Sequence, residues 1–288
     1  MPSTRQLKTR IRSVKNTRQI TKAMELVAAS KMRRAQEATQ ASRDYALVAR
    51  EVLNRLAAAG EVHKHPLFTL REVKNRLIIL ITSDKGLAGA YNANAIKRYL
   101  ELRRDDKKAG VASKTVAIGH KGAQFLSRLK DVDIAGVYED LPDKPTGGEI
   151  RAVMSSAIEL FTNNEVDAVD VIYTKYINSI VQEVTTQRIL PAGFTETEAS
   201  KGIAEATFEP DTEIVLQGAT RRLVEAGLFQ ALLDAAASEQ SMRMVAMKNA
   251  TDNATDLVDD LTLEMNKIRQ GAITQELAEI SAGAEAVA

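Results

Sequence analysis

The chain has 288 residues, a formal net charge of +1 and no cysteine. The missing cysteines exclude disulfides, thiolate zinc sites and cysteine nucleophiles, and no apolar run reaches the roughly 18 residues that a membrane-spanning helix requires. The aromatic content of 4%, without tryptophan, is low for a compact globule and typical of long helices rich in alanine, glutamate, lysine, leucine and arginine.

The first predicted element is a single helix over residues 1–59, because neither glycine nor proline occurs between Pro2 and Gly60. A helix of this length cannot form a core by itself and needs a partner of similar length. Most steps between its apolar or small side chains are three or four residues, which predicts one stripe on one face. That stripe includes Leu7, Ile11, Val14, Ile20, Met24, Val27, Ala35, Ala38, Tyr45, Val48, Val52 and Leu56.

Every charged residue before Glu25 is positive, which raises two alternatives for this segment. A mitochondrial transit peptide has such a composition, but a removable segment should end in a break, and the helical pattern continues to residue 59. A nucleic-acid-binding arm is also basic, but this stretch has no interleaved aromatic residues. We therefore expect no nucleic-acid partner.

Residues 60–210 are predicted to form an α/β domain with a mainly parallel sheet. Strands are expected at Leu77–Thr82 and Thr115–Ile118, each followed by a glycine-containing loop and a helix, which is the signature of parallel βαβ units. Two further runs, Val169–Tyr176 and Ile180–Gln187, flank Asn178-Ser179 and predict an antiparallel hairpin at the sheet edge.

The loop SDKGLAG after the first strand stands where backbone N–H groups can bind phosphate. It lacks both the G-x-x-x-x-G-K-[ST] spacing and a full G-x-G-x-x-G, so a structural turn is favoured over a nucleotide site. His63, His65 and His120 are the only histidines, and no set of catalytic or metal-ligating residues stands out. We predict no catalytic residue, metal or cofactor; a stand-alone α/β enzyme or nucleotide-binding protein is the alternative class.

Residues 211–288 predict a second long helix, because no proline follows Pro210. If the central domain holds residues 59 and 211 side by side, the two helices run antiparallel and paired positions have numbers that add to about 270. The net charge of +8 over residues 1–40 then lies opposite the net charge of −6 over residues 249–288. Opposite charges favour this orientation, although each exposed ion pair contributes only about 0–1 kcal/mol.

The same register leaves about the last 20 residues without a partner in the chain. A solvated tail should be charged, yet this one is apolar and small. We therefore predict a slim helix that enters another protein. Its apolar and small residues are Ala272, Ile273, Leu277, Ala278, Ile280, Ala282, Ala284, Ala286 and Val287.

Four segments resemble the γ subunits of F-type ATP synthases, and the resemblance extends over the whole chain. They are RIRSVKNTRQITKAMELVAASKMRR (residues 10–34), SDKGLAGAYN, TFEPD (residues 207–211) and ITQELAEISAGAEA (residues 273–286). The resemblance implies an antiparallel coiled coil of the terminal helices with a Rossmann-like central domain. It also implies a non-catalytic rotor shaft whose partners are the α and β subunits of an α3β3 ring, an ε subunit and a membrane c-ring.

The resemblance further implies roles for particular residues. Contacts to the levers of β fall on Lys22, Met24 and Glu25, and contacts to the β catch loop fall on Arg269, Gln270 and Thr274. The tip that turns in an apolar bearing carries Ile273, Leu277 and Ile280, and the foot meets the c-ring near Phe208 and Glu209. The absence of a targeting segment favours a bacterial protein, peripheral on the cytoplasmic side of the inner membrane.

Overall fold

The computed structural model describes residues 4–58, 66–142, 147–192 and 212–287, without the side chains at 43–58, 147, 212–217, 219 and 283–287. Its helices are α1 (Thr4–Ala58), α2 (Tyr91–Ala109), α3 (His120–Leu126), α4 (Gly147–Thr162) and α5 (Thr212–Val287), with a 3-10 turn at Pro66–Phe68. Its strands are β1 (Asn75–Ile81), β2 (Ala112–Ile118), β3 (Asp133–Tyr138), β4 (Ala168–Tyr176) and β5 (Gln182–Leu190). The chain divides into two compact units, Met1–Ala28 with Arg243–Ala288, and Ala29–Met242.

The larger unit is built on a five-stranded sheet with the order β3-β2-β1-β4-β5. β1 is parallel to β2 and β4, and β2 is parallel to β3, whereas β5 runs antiparallel to β4 at one edge. The predicted mainly parallel sheet and the edge hairpin are therefore confirmed. β3 is not predicted from the sequence, because it is an edge strand with no fully buried residue and lacks the apolar run that marks β1.

β1 is buried on both faces because side chains alternate along a strand and both faces of this sheet are covered. Leu77, Ile79 and Ile81 pack into a core with α4 and the α5 residues Leu228 and Leu232. Ile78 and Leu80 pack on the opposite face with Tyr99 of α2 and Leu126 of α3. The continuous run LIILI thus reflects two cores rather than one.

A group of four charges, three of them mostly buried, joins α2 to three strands of this sheet. The carboxylate of Asp170 on β4 accepts hydrogen bonds from Arg76 on β1 and Arg188 on β5. Arg76 Nε also lies 3.0 Å from Asp106 Oδ2 at the end of α2. Burial raises the pKa of Asp106 above its usual range, and the charge of Arg76 opposes that increase. The group has two positive and two negative formal charges, so burial does not leave a net charge unpaired.

Gly119 joins β2 to α3 at a position that excludes a side chain. Its φ is +94°, and a Cβ atom there would lie 2.2 Å from the carbonyl oxygen of Thr82. The Thr82 hydroxyl also accepts the Gly122 N–H at 2.8 Å, which holds this crossing closed. Only glycine combines the backbone angle with the close approach.

Gly119→Ala is therefore expected to destabilise the larger unit by about 2–4 kcal/mol, through a steric clash together with backbone strain. Urea unfolding of the full chain measures the change. Gly218→Ala in α5 is the matched control, because a Cβ there meets nothing within 4 Å, and it should be neutral or stabilising by up to about 1 kcal/mol. Equal stability of the two variants would contradict this account.

The smaller unit is a two-helix seam. Apolar residues of α1 (Leu7, Ile11) and α5 (Val258, Leu261) form its buried core, and Val14, Met265 and Ile268 pack against it. Further toward the C-terminus of α1, the hydroxyl of Thr251 lies 2.8 Å from that of Thr21. These two positions have numbers that add to 272, so the predicted antiparallel register of about 270 is confirmed.

Among the side chains that the structure describes, the predicted stripe on α1 is wrong at Ile20 and Val27; Tyr45, Val48, Val52 and Leu56 lie outside the described side chains. Ile20 and Val27 are 60% and 56% exposed, whereas Thr21 and Ala28 lie in the seam. From Leu7 onward the seam alternates steps of four and three residues, which is the 3.5-residue period of a coiled coil. Ile20 and Val27 are each one residue out of that period, and apolar character alone did not reveal this.

Candidate functional site

Lys22, Met24 and Glu25 lie within one turn of α1 but differ in exposure. Lys22 Nζ lies 3.0 Å from both carboxylate oxygens of Glu25. The Lys22 side chain is 54% exposed and that of Glu25 only 15%, and Met24 is half-buried. Of the three, Lys22 therefore offers the most surface to a partner, while Glu25 lies mostly against the seam.

Three apolar side chains in the same stretch of α1 are also exposed. Ile20 and Leu26 are each 60% exposed, and Val27 is 56% exposed. An exposed aliphatic side chain alone is ordinary, but three within eight residues of one helix indicate a contact surface. The spacing of apolar residues could have identified this surface only if it had been known which residues of α1 face α5.

The second predicted surface is the end of α5, where every described side chain from residue 269 to residue 282 is exposed. Ile273, Leu277 and Ile280 are 49%, 60% and 68% exposed. Their spacing of four and three residues places them on one helical face. The predicted unpaired apolar end of the helix is confirmed at the level of exposure.

Polar residues on the same segment have mostly local hydrogen bonds. The hydroxyl of Thr274 donates to the carbonyl of Gln270 at 2.9 Å, and Gln275 Nε2 donates to Glu279 at 2.9 Å. Arg269, Gln270 and Thr274 thus lie on one exposed segment of α5. The roles assigned to these residues stay predictions. Phe208 and Glu209 lie outside the residues that the structure describes.

The SDKGLAG loop uses its polar groups for its own structure. The Ser83 N–H donates to Asn92 Oδ1 at 3.0 Å, and Asn92 Nδ2 donates to Ser83 Oγ at 2.8 Å. The N–H of His120 donates to Asp84 Oδ1 at 2.9 Å, and the N–H of Lys121 donates to the Ser83 carbonyl at 3.0 Å. A phosphate site needs unpaired N–H donors at such a strand end, so the geometry favours the structural turn.

We expect titration calorimetry of the full chain with ATP or ADP to show no saturable heat at millimolar nucleotide. Binding would require Ser83 and His120 to exchange internal hydrogen bonds for phosphate contacts. A buffer-into-protein titration is the control. Saturable binding that is lost on Asn92→Ala would instead support the alternative class, a nucleotide-binding α/β protein.

Two kinds of site are absent from the part of the chain that is described. It contains no group of three or more histidine, aspartate and glutamate side chains that could hold a metal ion. None of its helices is both long and apolar enough to cross a membrane.

Comparison with known proteins gives one consistent family. Residues 3–287 match a family model described as ATP synthase. The chain is 43% identical to the ATP synthase gamma chain of Ralstonia nicotianae, over 100% of both chains. It is 37% identical to the gamma chain of a Staphylococcus aureus strain, again over 100% of both.

Solved structures are similar as well. The chain resembles a chain of the central stalk and c-ring structure of Tetrahymena thermophila mitochondrial ATP synthase, with a TM-score of 0.63 and 28% identity. That match covers 80% of this chain and 99% of the other. A chain of the Euglena gracilis mitochondrial ATP synthase has a TM-score of 0.72 over 99% of this chain and 94% of its own. At 17% identity, this second match shows likeness of fold.

Proposed function

The chain belongs to the ATP synthase gamma-chain family, and from this premise we propose that it is the central rotor shaft of an F-type ATP synthase. Its partners are the α3β3 ring and the membrane c-ring. The shaft carries rotation between the c-ring and the catalytic ring and performs no chemistry itself.

The observation that carries this proposal is the exposed apolar end of α5. Ile273, Leu277 and Ile280 form one apolar stripe on a segment whose described side chains are all exposed. Fully burying such a side chain contributes about 1.5–3 kcal/mol, so a partner that encloses the stripe gains appreciable free energy. A single slim helix is the form that fits inside a ring of subunits.

A rotor must present unlike faces to identical partners, and the smaller unit has such faces. α1 has the exposed cation of Lys22 beside Leu26, and it exposes Ile20 and Val27 on another face. α5 has a run of exposed carboxylates at Asp252, Asp256, Asp259 and Asp260. Only contacts that differ between conformations can shift a catalytic site from one conformation to another. Rotation of these unlike faces past each β subunit would supply that difference.

The residue roles form part of the proposal. Lys22, Met24 and Glu25 contact the β levers, and Arg269, Gln270 and Thr274 contact the β catch loop. The ε subunit and the c-ring contact the foot, the latter near Phe208 and Glu209. The functional division at residues 1–59, 60–210 and 211–288 is proposed on the same basis.

The proposed location is the cytoplasmic face of a bacterial inner membrane, where the chain is a peripheral subunit. It is supported by full-length similarity to gamma chains of bacteria such as Ralstonia nicotianae and Staphylococcus aureus.

Purification of the tagged full chain from native membranes tests the proposal. We expect α and β subunits to co-purify in equal amounts, together with ATP hydrolysis that the isolated chain lacks. The same tag on an unrelated cytoplasmic protein is the control. Purification of the tagged chain from the membranes without any ATPase subunit would refute the assignment.

A further inference from the structure

The seam of the smaller unit changes from apolar to polar along its length. In α1 the seam residues Leu7, Ile11 and Val14 are followed by Arg18, Thr21 and Glu25, and all six are less exposed than most of their neighbours. In α5 the corresponding seam passes from Val258 and Leu261 to Ala254 and Thr251. Packing of large side chains therefore supports only part of the seam.

The two threonines are joined across the polar part. The Thr251 hydroxyl lies 2.8 Å from Thr21 Oγ1 and also 2.8 Å from the Met247 carbonyl of its own helix, so its one proton is shared between two acceptors. The Thr21 hydroxyl donates to the Arg18 carbonyl of its own helix at 3.0 Å. Both hydroxyls are half-buried, and the proton of each has an acceptor. Glu25 instead pairs with Lys22 on the same helix.

A seam of repeating apolar residues does not by itself determine how far one helix lies along the other. Moving one helix by seven residues, about 10.5 Å, again places apolar residues opposite apolar residues. In one such slipped pairing Thr21 would lie opposite Val258, and Thr251 would lose its partner on α1. A single polar position in a coiled-coil seam can specify register in this way, at a cost in stability.

We propose that Thr21 and Thr251 are positioning residues whose hydrogen bond sets the axial register between α1 and α5. The functional meaning rests on the proposed rotor. Thr21 immediately precedes Lys22, so the register determines which α5 residues lie level with the Lys22 surface. A shaft with more than one register would present mixed faces to the catalytic ring.

Crosslinking of the full chain tests this directly, because it has no native cysteine. The native register pairs Val14 with Val258, whereas slips of one heptad pair Val14 with Met265 or Leu7 with Val258. Three double-cysteine variants, one for each pair, report the three registers. A slip of about 10.5 Å exceeds the Cα separation of about 7 Å that a disulfide tolerates.

Each reporter pair is measured with native threonines, with Thr21→Val and Thr251→Val together, and with serine at both positions as the control. The valine pair keeps the side-chain shape without the hydroxyls. We expect slipped crosslinks to rise about fivefold to tenfold with valine, the factor that one hydrogen bond accounts for. The serine pair should match the native chain. The midpoint of thermal unfolding should stay within about 3 °C in the valine variant, because the apolar replacement is well accommodated.

An unchanged preference for the Val14–Val258 crosslink in the valine variant would overturn the proposal. The proposal would also be overturned if, with native threonines, the slipped crosslinks formed in the same yield as the Val14–Val258 crosslink. These readouts come from the isolated chain and do not depend on a rotor function. A separate assay on the reassembled ATPase, proton pumping per ATP hydrolysed, should fall in the valine variant and recover with serine.

Discussion

Asp170→Ala is expected to destabilise the larger unit by about 3–5 kcal/mol, enough to unfold a domain of ordinary stability at 37 °C. The Asp170 side chain is only 3% exposed and is shared by Arg76 and Arg188. Removing it leaves two guanidinium groups with only the Asp106 carboxylate, and breaking one partner of a buried ion pair costs more than the pair contributes. Because the three strands joined here are adjacent, the loss should affect the whole sheet.

Urea unfolding followed by circular dichroism measures this effect on the full chain. Asp105→Ala is the matched control. Asp105 lies beside Asp106 on α2, but its side chain is 62% exposed and its one ion pair, with Arg104, is long at 3.9 Å. Exposed pairs of this kind contribute at most about 1 kcal/mol. A destabilisation by Asp170→Ala no greater than that of Asp105→Ala would show that the buried charges do not hold the sheet together.

The second large effect is expected at the end of α5. Serine at Ile273, Leu277 and Ile280 together should reduce ATP-driven proton pumping of the reassembled complex by about tenfold or more. Each of the three lost side chains would remove about 1.5–3 kcal/mol of apolar contact with the enclosing subunits. Stability of the isolated chain should not change, because all three side chains are exposed there.

Serine at Gln275, Glu276 and Glu279 is the control for this variant. These residues lie on the same turns of α5, are exposed and are polar, so their loss removes little apolar contact. We expect them to retain most of the pumping. If the apolar and polar triple variants pump equally well, the stripe is not the surface by which the shaft is held.

Much of this architecture could be read from local sequence. The lack of glycine and proline predicts the first helix, which is observed at Thr4–Ala58, and the run LIILI predicts a strand with both faces buried. Arithmetic on the chain ends predicts an antiparallel register near 270 and an unpaired apolar end, because two helices that leave one domain together start from the same level. The positive charge of the first helix and the negative charge of the last predict the same antiparallel orientation, because opposite charges attract.

Other features were decided only by the tertiary structure. β3 is an edge strand whose exposed side chains give no apolar run. The seam passes through Thr21 rather than Ile20, because its phase depends on where the second helix lies. The Thr21–Thr251 bond and the Asp170 group join residues that are distant in the chain. Local sequence determined the helices and most strands through periodicity, while the polar contacts that hold them in register depended on which distant side chains folding brings together.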